Sequence, residues 1–185
     1  MRVALYGGSF NPPHVGHVLA AAYLTAVGGF ERVLVVPVFE HAFDKALLSF
    51  EARVELCRLA FERLVGVEVS IIESELPRPS YTLTTVRELL RRHPDYELSL
   101  VVGADVVPEI PRWHGSEELR RLTPIYVMPR HGYEAAVIGR PILPEVSSSE
   151  LRSRLADPAQ RDAPELARLL PKAVLARINE RGFYT

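Results

Sequence analysis

One cysteine, one tryptophan, no excess of charge of either sign and no long apolar run set the first limits on this chain. With Cys57 alone, no intrachain disulfide can form. It lies in Val54-Glu55-Leu56-Cys57-Arg58-Leu59-Ala60, an apolar pattern at helical spacing, and reads as a small core residue rather than a catalytic thiol. Twenty-two basic against 23 acidic residues give a formal charge of −1, so no global field draws in nucleic acid, whose binding needs many phosphate-neutralising cations. Arg87, Arg91 and Arg92 stand at helical spacing and read as a solvated face. The N-terminal run breaks at Gly7, short of a signal-peptide apolar region, and no stretch has the length of a membrane span. The expectation is a protein of the reducing cytoplasm, with no membrane and no nucleic-acid partner; a homo-oligomer stays open.

What is present is an alternation. Apolar runs at Val3–Tyr6, Arg32–Val38, Val67–Ile72, Leu98–Val102 and Ile125–Met128 read as strands, with a shorter extended piece near Ile142-Leu143. Helical patterns fall at Val15–Val27, from Ser49 toward Leu64, and at Leu83–Arg92 and Glu117–Leu122. They resume at Ser149–Leu155, Pro164–Leu169 and Lys172–Arg181. Strands alternating with helices predict an α/β fold, a Rossmann-like doubly wound parallel sheet with a C-terminal helical appendage. No repeat or linker divides the chain, so one domain is expected, with a core over about residues 1–145 and a helical part over about 146–185. In such folds ligands bind beyond the carboxyl ends of the strands, so residues just after strands carry the function.

The first such segment is Gly7-Gly8-Ser9-Phe10-Asn11-Pro12-Pro13-His14-Val15-Gly16-His17. Glycines let backbone N–H groups approach an anion, and the following helix adds donors and the positive end of its dipole. It is neither a G-x-G-x-x-G nor a G-x-x-x-x-G-K-[ST] loop. His14 and His17, three residues apart, share one face of a first helical turn, and Gly16 between them removes a side chain. A metal site is a poor reading of two histidines without nearby carboxylates or thiols. Further along, Gly103-Ala104-Asp105 ends the fourth strand, and Val146-Ser147-Ser148-Ser149-Glu150-Leu151-Arg152 has capping-box spacing with an arginine one turn in.

The first segment resembles the signature of the nucleotidyltransferase superfamily with the H-x-G-H motif, and within it the bacterial nicotinate-nucleotide adenylyltransferases. Asn11 stands where Asp is commoner; either closes a turn through a side-chain oxygen. The resemblance recurs in Pro79-Ser80-Tyr81-Thr82-Leu83-Thr84-Thr85, Glu109-Ile110-Pro111-Arg112-Trp113, Arg130-His131-Gly132-Tyr133 and Ser147 to Arg152. It implies that His14, His17 and Arg152 stabilise the reacting phosphates. It assigns Gly8, Ser9, Phe10, Gly103, Asp105, Arg130, Ser147 and Ser148 to ATP. It assigns Ser9, Lys45, Tyr81, Thr82, Thr85 and Trp113 to a pyridine mononucleotide, with the Trp113 indole stacking on the ring. The loop His41 to Lys45 departs from the familiar wording, and Ala52 stands where a His is common.

The implied reaction is adenylyl transfer from ATP to nicotinate mononucleotide, giving deamido-NAD and pyrophosphate. The attacking 5′-phosphate is already ionised near neutral pH, since its second pKa is about 6, so no protein base is needed. Magnesium would arrive mainly on ATP oxygens and waters, without a dedicated protein site. Three alternatives remain at this level: transfer to nicotinamide mononucleotide or another phosphate ester, a fragment of a class I aminoacyl-tRNA synthetase, and a nucleotide-binding sensor without turnover. A synthetase fragment lacks its K-M-S-K-S-like loop and a basic face here. The full set of His14, His17, Ser148 and Arg152 speaks against a mere sensor.

Overall fold

A computed structural model describes residues 1–40, 47–129 and 144–185. Five strands form one wholly parallel sheet in the order β3-β2-β1-β4-β5: β1 (Arg2–Gly8), β2 (Arg32–Pro37), β3 (Val67–Val69), β4 (Glu97–Gly103) and β5 (Ile125–Met128). The helices are α1 (Val15–Ala26), α2 (Phe50–Phe61), α3 (Thr82–Arg92), α4 (Ser116–Leu122), α5 (Ser148–Ala156), α6 (Pro164–Leu169) and α7 (Lys172–Arg181). No described helix is long and apolar enough to cross a membrane.

Successive side chains of a strand point to opposite faces, and the core divides accordingly. Ala4, Val33, Val35 and Val101 pack with α1, α2 and the C-terminal helices; Val3, Leu5, Leu34, Leu98, Leu100 and Val102 pack with α3 and α4. Both faces are covered, which is why the central strands are continuously apolar. The C-terminal helices are part of this core. Leu151, Leu155, Leu166, Val174 and Ile178 are each 1% exposed or less and share one cluster with Ala4 and Val33. Cys57 is fully buried there, and burial pushes its thiol pKa up, so it stays a neutral packing group.

The expected elements appear, with shifted ends. Ser49 caps α2, its hydroxyl accepting the Ala52 N–H at 3.2 Å, and Ser147 caps α5 by accepting from Glu150 N–H at 3.1 Å. The third strand stops at Val69 rather than Ile72. The Ser70 hydroxyl accepts the Ile72 N–H at 3.3 Å, and the chain turns into a 3₁₀ helix at Ile72–Glu75. The extended piece expected near Ile142-Leu143 lies outside the described residues.

The order 3-2-1-4-5 reverses direction between β1 and β4. That switch point lies between Gly7 and Gly8 at the carboxyl end of β1 and Gly103 at the carboxyl end of β4, where folds of this kind bind ligands.

Candidate active site at the carboxyl edge of the sheet

The histidine turn is built by local constraints. His14 occupies the N-cap of α1 in an extended conformation, and its backbone N–H donates to His17 Nδ1 at 3.1 Å. With Nδ1 accepting, the neutral His17 ring carries its proton on Nε2, as a donor directed away from its own helix end. The two imidazoles stack with centroids 3.7 Å apart and planes 28° apart. Gly16 makes this stack possible, because a Cβ there would lie 3.1 Å from the His14 ring. The His14 ring fills the space of the side chain that Gly16 lacks.

Phe10 supports the pair from below. Its backbone has φ 45°, an uncommon value for a side-chain-bearing residue that costs about 1–3 kcal/mol and is kept only where the surroundings demand it. The strain drives the ring into the core, where it is 1% exposed and meets His17 at 4.9 Å, Tyr6 at 5.6 Å and Phe61 at 6.2 Å. The Phe10 ring is thus a packing group beneath His17 rather than an exposed side chain. Gly8 leaves room for that ring, since a Cβ would come within 3.2 Å of it.

The start of α5 closes against the same turn. Ser148 Oγ donates to the Pro12 carbonyl at 2.9 Å, and Arg152 Nη1 donates to the Asn11 carbonyl at 2.8 Å. Arg152 Nη2 bonds Ser149 Oγ at 3.1 Å. Segments about 140 residues apart thus place two histidines, a helix N-terminus and a guanidinium around one spot. Across the switch point, Asp105 follows β4; a Cβ on Gly103 would lie 2.4 Å from its Oδ1, so the glycine makes room for the carboxylate. Asp105 precedes the N-cap of the 3₁₀ helix at Val107–Arg112, a position held by Val106.

With the fold and the histidine turn in place, comparison with known proteins is decisive. Residues 5–154 match the family model described as cytidylyltransferase-like. A probable nicotinate-nucleotide adenylyltransferase of Anaeromyxobacter sp. (strain K) is 40% identical, covering 99% of this chain and 96% of the relative. The protein of that name in Thermus thermophilus is 33% identical over the whole of both chains. The chain belongs to the nicotinate-nucleotide adenylyltransferases of the cytidylyltransferase-like family. In fold it is similar to Plasmodium falciparum nicotinic acid mononucleotide adenylyltransferase, solved in complex with NaAD. That match has a TM-score of 0.82 and 19% identity, covering 99% of this chain and 97% of the other.

A second group of the expected residues lies near α4. Tyr81, at the N-cap of α3, stacks on His114 with centroids 4.3 Å apart and planes 22° apart. Trp113 is half-buried and packs against the α3 and α4 side of the core. Thr82 is the first residue of α3, so the first-turn N–H groups sit beside Tyr81. Thr85 is brought near but turned inward. It is 1% exposed, and its hydroxyl faces Glu73 Oε1 at 3.3 Å and the Tyr81 carbonyl at 3.4 Å. Lys45 and Arg130 lie outside the described residues.

Two buried charged residues escaped the sequence reading. Arg53 is 1% exposed and donates to the carbonyls of Ser9 at 3.0 Å, Leu48 at 3.0 Å and Phe39 at 3.4 Å. Burial lowers its guanidinium pKa. Glu73 accepts the Phe39 N–H at 2.9 Å. Burial raises its carboxyl pKa, against the lowering effect of hydrogen bonds from Phe39, Ser80 and Thr85 and of the Arg53 charge. Through Phe39 these two residues tie the Ser9 loop to the start of α3. The signal was present in Ser49-Phe50-Glu51-Ala52-Arg53, an arginine on an otherwise apolar helix face, but only packing shows which carbonyls it reaches.

Proposed function

We propose that the chain transfers the adenylyl group of ATP to nicotinate mononucleotide, forming deamido-NAD and pyrophosphate. The observation that carries this reading is the convergence of His14 and His17 with Ser148 and Arg152 on one turn at the switch point of the sheet. The relatives named above, at 33–40% identity over nearly the full chain, support nicotinate mononucleotide as the acceptor.

In this reading the mononucleotide 5′-phosphate attacks the α-phosphorus of ATP, the new P–O bond forms, and the bond to the β-phosphate breaks to release pyrophosphate. Two anions must be brought together, so the residues act by orientation and charge. His17 Nε2–H and the His14 ring donate to oxygens of the reacting phosphate, where negative charge builds. Arg152, the α5 N-terminus and Ser147 and Ser148 hold the leaving phosphates. Gly8, Ser9 and Phe10 supply backbone N–H groups, and Gly103 and Asp105 receive the adenosine, with the ribose hydroxyls donating to the carboxylate. On the other side, Tyr81, Thr82 and the first turn of α3 receive the pyridine carboxylate, with Thr85 bracing that turn and Trp113 stacking on the ring. Ser9 and Lys45 serve the mononucleotide phosphate and Arg130 the nucleotide. ATP enters as its magnesium complex, the ion riding on phosphate oxygens.

The test is pyrophosphate release with ATP and magnesium, comparing nicotinate mononucleotide, nicotinamide mononucleotide and 4′-phosphopantetheine. Release with nicotinate mononucleotide, exceeding the other two, is expected. Faster release with the amide reassigns the acceptor, and no release with any acceptor removes catalysis from the reading.

A further inference from the structure

The turn that carries the histidines has few means of holding itself. Pro12 and Pro13 have no backbone N–H, so Asn11 to Pro13 must be fixed through carbonyls and through the Asn11 side chain. Two of those carbonyls and the Asn11 side chain are gripped by the C-terminal part of the chain. Arg152 takes the Asn11 carbonyl and Ser148 the Pro12 carbonyl. The third grip comes from the penultimate residue: Tyr184 Oη donates to Asn11 Oδ1 at 2.9 Å, across 173 positions. Asn11 Oδ1 also accepts the Leu48 N–H at 3.2 Å, so the Tyr184 hydroxyl and the loop before α2 meet on one oxygen. Asn11 itself is 1% exposed.

Tyr184 is held in place for this contact. Its φ is 63°, a left-handed value that a tyrosine adopts only under constraint. Before it, Gly182 ends α7 at φ 63°, and Arg161 clamps the tail by donating to the Phe183 carbonyl at 3.2 Å and the Leu155 carbonyl at 2.8 Å. A strained residue is thus clamped from behind and bonded to the side chain that opens the Asn11-Pro12-Pro13-His14 turn.

We propose that Tyr184 is a positioning residue for catalysis: its hydroxyl, through Asn11, sets the turn that presents His14 and His17 to the reacting phosphates. This rests on the reading of those histidines given under Proposed function. Tyr184 acts on the turn through the Asn11 side chain, so its loss should act on kcat and leave binding alone.

The experiment compares Tyr184→Phe, Tyr184→Ala and His17→Ala with the parent chain. Steady-state kinetics with ATP, magnesium and nicotinate mononucleotide are read beside thermal unfolding and the ¹⁵N shifts of the imidazoles. Removing one hydrogen bond to a buried acceptor should lower kcat about tenfold in both Tyr184 variants. KM for either substrate should stay within about twofold. His17 should lose its single Nε2–H signature in both. Tyr184→Phe with parental kcat and an unchanged imidazole spectrum, even if Tyr184→Ala is impaired, would show that only the ring's packing matters and overturns the proposal. If His17→Ala keeps its activity, the reading beneath the proposal fails, and that result is distinct from a silent Tyr184→Phe.

Discussion

Arg53→Met is the perturbation that tests most directly how the site is held up. Arg53 is 1% exposed, and methionine fills a similar volume, so packing changes little. What changes is hydrogen bonding: the carbonyls of Ser9, Leu48 and Phe39 lose a charged donor. The Phe39 bond is long at 3.4 Å and contributes least. Leaving a buried polar group unsatisfied costs about 1–3 kcal/mol, so the two short bonds lost amount to about 2–6 kcal/mol. Methionine also ends the cost of burying the guanidinium, but its polar partners stay behind, so that gain does not cancel the loss. The net expectation is about 2–5 kcal/mol of destabilisation, or a fall in Tm of about 4–20 °C for a chain of this size. Urea unfolding followed by circular dichroism should show a lower midpoint at an unchanged slope. Arg53→Lys, keeping the charge without the span to reach three carbonyls, should fall between the two. A loss below about 1 kcal/mol in Arg53→Met would refute the claim that this residue ties the loops together.

Four further outcomes follow from the geometry. His17→Ala should lower kcat about 10²–10³-fold in a chain that still folds, and retention of most activity removes His17 from the chemistry. Trp113→Ala should raise KM for the mononucleotide about tenfold through lost stacking; a change confined to ATP counts against that role. Gly103→Ala sets a Cβ 2.4 Å from Asp105 Oδ1, so the carboxylate must shift; KM for ATP should rise about tenfold, and an unaltered value separates Asp105 from ATP binding. The last concerns pH. Burial raises the Glu73 pKa in the folded chain, so the native state holds this proton more tightly than the unfolded chain does. Stability therefore declines as pH rises from the ordinary value of 4.5 through the folded value, and is level above it. Glu73→Gln keeps an acceptor for Phe39 N–H and should lack that decline; matching pH–Tm curves for the two proteins would contradict the assignment.

Apolar periodicity predicted each strand and α-helix that the described structure contains, because that signal acts over a few neighbouring positions; the 3₁₀ helices at Ile72–Glu75 and Val107–Arg112 were not predicted. The chemical class of the site was legible as well, since His14, Gly16 and His17 lie within one helical turn. Element ends were less legible. The third strand's end at Val69 depends on a Ser70 hydroxyl reaching Ile72 N–H rather than solvent, a choice that propensity does not express.

The sequence by itself determined the alternation of strands and helices, the parallel sheet, the helical C-terminus and the histidine pair. All rest on local patterning or on residues adjacent in the chain. Only the tertiary structure decided which distant groups support that pair. Arg152 on Asn11, Ser148 on Pro12, Tyr184 on Asn11 and Arg53 on Ser9 join positions 44 to 173 apart. It also turned Thr85 toward Glu73, and it made Gly16 a packing requirement of the His14 ring. The physical reason is that a hydrogen bond is selected by where two groups meet after the sheet closes. Spacing along the chain carries no record of such meetings.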